Sequence, residues 1–97
     1  MTDTLLERKI EDYFNKQVKG HGGEVRKLSW VNRWHAPDRF VALNGVWLVE
    51  LKRTGAKLRP GQERERLRLT AKGVRCRVIN SIEGVDEFIK EVLSATV

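Results

Sequence analysis

One cysteine in 97 residues is the first constraint this chain imposes. A lone thiol, Cys76, forms no intramolecular disulfide and no cysteine-based zinc site, which points to a reducing compartment. Flanked by Arg75 and Arg77 in a strand-like run, it reads as a small buried hydrophobe rather than a nucleophile. Apolar runs are equally scarce. None approaches the length of a membrane span, and the N-terminus lacks the apolar core of a signal peptide. The expectation is a soluble cytoplasmic protein with no membrane partner. No repeat, linker or low-complexity segment divides the sequence, so a single domain over 1–97 follows, with a modest core to which a second protomer would add buried surface.

What the chain has in excess is positive charge. Its formal net charge is +6, and the excess is local. Between Lys52 and Arg77 lie Lys52, Arg53, Lys57, Arg59, Arg64, Arg66, Arg68, Lys72, Arg75 and Arg77, opposed only by Glu63 and Glu65. A solvated face is the bland reading of such a run. Its one-sidedness favours a polyanion partner, and nucleic acid is the commonest.

Hydrophobic spacing predicts a helix from Thr4 to Lys19, with Leu6, Ile10, Tyr13, Phe14, Gln17 and Val18 on one side, stopped by Gly20-His21-Gly22-Gly23. Strands are expected over Glu24 to Trp30, Arg39 to Leu43 and Val46 to Arg53, the last two joined around Asn44-Gly45, a hairpin signal. Pro60 suits the first turn of a helix running to Lys72, which Gly73 ends. Val74 to Ile79 reads as a fourth strand. Ser81 then caps a closing amphipathic helix carrying Val85, Phe88, Ile89, Val92 and Leu93. The order is helix, three strands, helix, strand, helix.

Within the third strand, Glu50-Leu51-Lys52 places ionisable groups where apolar residues would be cheaper, and Pro37-Asp38 precedes the second. Two carboxylates and an ammonium within reach of one another make a divalent-metal site with a lysine beside it, an apparatus for phosphodiester hydrolysis. Alternation sets Glu50 and Lys52 on one strand face. The direction of Asp38 depends on the turn. A two-residue Asn44-Gly45 loop pairs Leu43 with Val46 and turns Asp38 away from Glu50. A three-residue Leu43-Asn44-Gly45 loop pairs Ala42 with Val46 and sets Asp38 opposite Glu50. The second register is favoured, because opposed like charges in a sheet make sense with a cation between them. It requires a positive φ at Gly45.

Oxygen ligands from Asp38, Glu50 and the Leu51 carbonyl suit magnesium or manganese. Lys52 could orient a water, deprotonate it, or stabilise negative charge at phosphorus. Glu7 lies at the edge of the first helix's apolar stripe, where it either reaches the metal or completes a capping box with Thr4. Gln62, in the second helix, either looks back toward Lys52 to bind a water or phosphate, or is an exposed first-turn residue. Arg33, Arg39, Arg53, Lys57 and Arg59 surround the site in sequence as phosphate-binding candidates. Trp47 is expected in the core, and Trp34 to pack beneath its loop rather than stack on a base. His21 and His35 are too isolated to argue as ligands.

Taken together, Glu7 on a first helix, Pro37-Asp38, Glu50-Leu51-Lys52 and Gln62 resemble the PD-(D/E)XK nuclease superfamily, and within it the VRR-NUC type of virus-associated replication and repair nucleases. The resemblance spans nearly the whole chain. It implies an α/β, restriction-endonuclease-like core, a mixed four-stranded sheet flanked by helices, with Asp38 and Glu50 as metal ligands, Lys52 catalytic, and Glu7 and Gln62 completing the site. It also implies an intracellular setting such as a virus-infected cell. Stand-alone members are similar to Holliday-junction-cleaving enzymes and act as homodimers. One departure is Ala36, where the family often has glycine; it bears on loop shape more than on chemistry. The resulting expectation is a magnesium-dependent endonuclease acting on branched DNA as a homodimer. A non-catalytic nucleic-acid-binding protein and a nuclease for RNA or single strands are the rival readings.

Overall fold

A computed structural model describes residues 3–95, with side chains from Leu6 onward. Its elements follow the expected order: α1 (Asp3–Gly20), β1 (Glu24–Lys27), β2 (Arg39–Ala42), β3 (Val46–Leu51), α2 (Pro60–Ala71), β4 (Cys76–Ile79) and α3 (Ile82–Ser94). The four strands form one sheet in the order β1-β2-β3-β4. The first two pairings are antiparallel, and β3 runs parallel to β4 through the α2 crossover. No helix among the described residues is long and apolar enough to cross a membrane.

The sheet separates two environments. On one face Val41, Trp47, Val49, Leu51 and Ile79 pack with Ile10, Phe14 and Val18 of α1 and Val85, Phe88, Ile89 and Val92 of α3. Spacing of four along α1 aligns Ile10, Phe14 and Val18 into one buried stripe. Phe88 joins the layers, its ring centroid 5.8 Å from Phe14 and 5.6 Å from Trp47, edge-on to the latter. Ser81 caps α3 as expected, its hydroxyl accepting from the Gly84 N–H at 2.8 Å.

On the other face lies α2, and its composition is inverted. The helix buries Gln62 and Glu65 while exposing Leu67. A helix that turns polar side chains inward is held by hydrogen bonds more than by apolar area: Gln62 donates to Glu50 of the sheet, and Glu65 accepts from Arg68 of its own helix.

Strand ends are shorter than expected for local reasons. β1 stops at Lys27, and after the Leu28 N–H bonds the Asp38 carbonyl at 2.8 Å the chain turns away through Asn32, at φ +57°. β4 starts at Cys76 because the Val74 N–H is taken by the Leu69 carbonyl at the end of α2. β3 ends at Leu51, with Arg53 already in a turn closed by the Ala56 N–H on its carbonyl.

The hairpin between β2 and β3 decides the site. Ala42 pairs with Val46, Val41 with Trp47, Phe40 with Leu48 and Arg39 with Val49. This is the three-residue-loop register. Gly45 has φ +110°, as that register requires, and Asn44 is also left-handed at +48°. Side chains fasten the turn: the Trp47 indole donates to the Leu43 carbonyl, and Asn44 Nδ2 donates to the Val92 and Ala95 carbonyls at 2.7 and 2.8 Å.

Candidate active site

One step beyond Arg39↔Val49, the register brings Asp38 opposite Glu50. Their side chains share the α2 face, since β3 alternates and gives Trp47, Val49 and Leu51 to the core. The two carboxyls lie within hydrogen-bonding reach of each other. Burial, then the hydrogen bond and charge of Asp38, push the Glu50 carboxyl up to about 8, while the nearby Lys52 ammonium opposes the rise.

Each carboxylate is positioned from outside the pair. Gln62 Nε2 donates to Glu50 Oε1 at 2.8 Å, and its own carboxamide oxygen accepts from the Arg59 N–H at 3.0 Å, which fixes the amide's orientation at the start of α2. Gln62 is thus buried against Glu50 rather than exposed. Asp38 Oδ2 pairs with Arg39 Nη1 at 2.9 Å. Its other oxygen, Oδ1, is buried and has no hydrogen-bond donor.

Two facing carboxyls, one with a buried oxygen that no N–H donor reaches and the other pushed up by burial and by that closeness, make an arrangement short of positive charge. A hard divalent cation that binds through one or two carboxylates and keeps several waters fits this donor set. Leu51 buries its side chain in the core, so only its backbone carbonyl is a candidate donor. Glu7 is exposed on α1, and among the described residues no group of three His, Cys, Asp or Glu side chains comes together. Glu7 therefore does not join Asp38 and Glu50 here. The capping-box alternative rests on the Thr4 side chain, which lies outside the described residues.

The phosphate-binding candidates divide. Arg53, Lys57 and Arg59 are exposed along the segment between β3 and α2. Arg33 is also exposed but faces Glu65, 3.8 Å away. Arg39 departs from expectation. It is 6% exposed, and its guanidinium is held between Glu11 of α1 and Asp38. In phase with Val41, it points into the α1 side of the sheet, where a phosphate cannot reach it. Its role is to orient Asp38.

Other residues enter that sequence reasoning passed over. Glu11 anchors Arg39, and Glu65 is buried on α2, bonded to Arg68 at 2.7 Å. His35 lines the cavity shared by Pro37, Glu50 and Gln62. Its ring lies flat on Gly61, where a Cβ would come within 2.6 Å. Glycine at the second position of α2 is what admits the ring. Cys76 is buried on the same cavity wall, and burial pushes its thiol up. Trp34 is 93% exposed rather than packed beneath its loop.

A mixed four-stranded sheet with paired carboxylates, a lysine and a helix-borne glutamine on one face defines an α/β protein of the restriction-endonuclease-like class. A solved structure described as a VRR_NUC domain superposes with a TM-score of 0.80 at 36% sequence identity, over 87% of this chain and 94% of that one. A protein of Acyrthosiphon pisum secondary endosymbiont phage 1, named Putative nuclease p44, is 40% identical over 79 residues, spanning 79% of this chain and 85% of the phage protein. No family profile matches the chain. On the extent of these similarities the chain belongs to the VRR-NUC nuclease family.

Proposed function

We propose that this chain is a single-domain, divalent-metal-dependent DNA endonuclease, with Asp38, Glu50 and the Leu51 carbonyl as its metal ligands. The observation that carries the reading is the meeting of the Asp38 and Glu50 carboxyls just beyond the β2–β3 ladder, with an Asp38 Oδ1 that is buried and reached by no N–H donor. Magnesium is the natural cation, with manganese as a substitute. When bound, it would supply charge to the phosphodiester and acidify the attacking water.

The protein's own groups do the positioning. Gln62 holds the Glu50 carboxylate, and Arg39 holds that of Asp38. Lys52, close enough to act on the Glu50 charge, stands where it can move a proton or stabilise charge developing at phosphorus. Arg53, Lys57 and Arg59 flank the site on exposed backbone and suit the phosphates on either side of the scissile bond. A homodimer would present two such sites to the two strands of a branched substrate, in keeping with the resemblance to junction-cleaving nucleases.

The test is a cleavage panel of duplex, single-stranded, flap and four-way-junction DNA, with magnesium and with manganese. The wild-type chain is compared with Asp38→Ala and Lys52→Ala. Cleavage with metal, abolished in both variants while binding survives in Lys52→Ala, is the expected result. Salt-sensitive binding with no cleavage under either cation would instead leave a non-catalytic nucleic-acid-binding protein.

A further inference from the structure

The loop from Leu28 to Asp38 is anchored on either side of an exposed stretch from Val31 to Trp34. Trp30 donates its indole N–H to the Pro37 carbonyl at 2.6 Å, Ala36 and Pro37 are buried, and His35 lies on Gly61. Asn32, at φ +57°, turns the chain outward between these anchors. Trp34 stands at the crest with 93% of its surface exposed. The indole at that crest adds no burial to the fold and leaves its ring open to a ligand.

The surroundings of Trp34 identify the ligand. His35 lines two adjoining clefts, one shared with Glu50 and Gln62 and the other with Arg33, Trp34, Glu65 and Arg68. The ring thus sits one residue from a wall of the cavity that Glu50 lines, in a cleft shared with the guanidinium groups of Arg33 and Arg68 and the carboxylate of Glu65. Among the described residues of this loop Val31 is the other largely exposed apolar side chain, and Asn32 and Arg33 separate it from Trp34 in sequence. This is too small and too polar for a protein interface core, and it has the elements of a nucleobase platform: an aromatic face beside the Arg33 and Arg68 guanidinium groups, each facing Glu65 on one side and open to solvent on the other.

We propose that Trp34 stacks on an unpaired nucleobase adjacent to the scissile phosphate, so that the protein favours DNA with a splayed or single-stranded nucleotide at that point. This rests on the nuclease reading, but binding without metal tests it separately. The measurement is equilibrium binding, in the presence of a chelator, of a short oligothymidylate and of a blunt, fully paired duplex, followed by anisotropy and by intrinsic tryptophan fluorescence. Trp34→Ala is expected to weaken oligothymidylate binding about 5- to 100-fold and to remove most of the quenching, with duplex affinity changing less than about twofold; Trp34→Phe should retain most of the affinity. Equal loss on both ligands, or unchanged oligothymidylate binding and quenching, would overturn it. So would sedimentation showing that Trp34→Ala converts a dimer to a monomer, which would assign the ring to a second copy of the chain. Should cleavage prove absent while Trp34-dependent binding persists, the nuclease reading fails and the stacking site stands.

Discussion

Gln62 reaches from the first turn of α2 to Glu50 on β3, donating a 2.8 Å hydrogen bond to one carboxylate oxygen. The contact links the crossover helix to the site and leaves the other Glu50 oxygen for a cation. Substituting Gln62→Leu keeps the bulk and removes the donor. The expected result is a 10- to 100-fold rise in the magnesium concentration needed for half-maximal cleavage, the usual scale for a residue that orients a ligand. A titration curve that superposes on wild type would show the bond to be incidental.

Glu50 also makes the fold pH-sensitive. Its carboxyl ionises near 4.5 in the unfolded chain and near 8 in the folded one. Between those values the native state keeps a proton that the unfolded state has released. Stability from this group is therefore full below about pH 4.5 and is lost as pH rises through about 8. A divalent cation bound as proposed would compete with that proton and restore what is lost. The increase in Tm on adding magnesium should thus be small at pH 5 and grow steadily to pH 9. A magnesium effect independent of pH would contradict the coupling.

Arg39 offers a contrast between orienting a ligand and binding a phosphate. Replacing it by Met leaves Glu11 and Asp38 without their shared cation, which should destabilise the fold by about 2–3 kcal/mol in denaturant unfolding. That is less than for a fully buried pair, because both acids are partly solvated. The slope of log affinity against log salt for DNA should stay unchanged. In Lys57→Ala, on the exposed segment before α2, the same slope should become shallower by about 1 with little loss of stability.

Gly45 tests the register itself. At φ +110°, and with Arg75 Nη1 3.0 Å from where a Cβ would lie, an alanine is strained and crowded. Gly45→Ala is expected to cost about 1–2 kcal/mol of stability. If the turn relaxes toward a two-residue loop, Asp38 rotates away from Glu50, and magnesium no longer raises Tm. Chemical-shift changes on Asp38 and Glu50 amides during a magnesium titration would report that loss directly.

The order of elements was legible in the sequence from periodicity and turn residues. The Asn44-Gly45 turn alone left two registers open, and the need to bring Asp38 and Glu50 together chose the one that the pairing of Ala42 with Val46 bears out. What was not legible depended on partners distant in the chain. Arg39 alternates in phase with Val41, a period-two signal that it faces inward, yet nothing local announces Glu11, 28 positions earlier, as the acid that receives it. Glu65 sat in a run of arginines and looked solvated, and only the packing of α2 on the sheet reveals it as buried. Trp34 failed for the opposite reason. Hydrophobicity argued for burial, and the anchoring of Trp30, His35 and Pro37 on either side holds it out.

The two hydrogen bonds from Asn44 to the carbonyls of Val92 and Ala95 give the end of the chain a part in the chemistry. They clamp the last turn of α3 onto the hairpin whose register aligns the carboxylates. On the proposed metal site, α3 would therefore work as a latch on metal affinity, although none of its residues lines the cavity that holds Glu50. A fusion or truncation that frays α3 would loosen the grip on the cation before it unfolded the sheet.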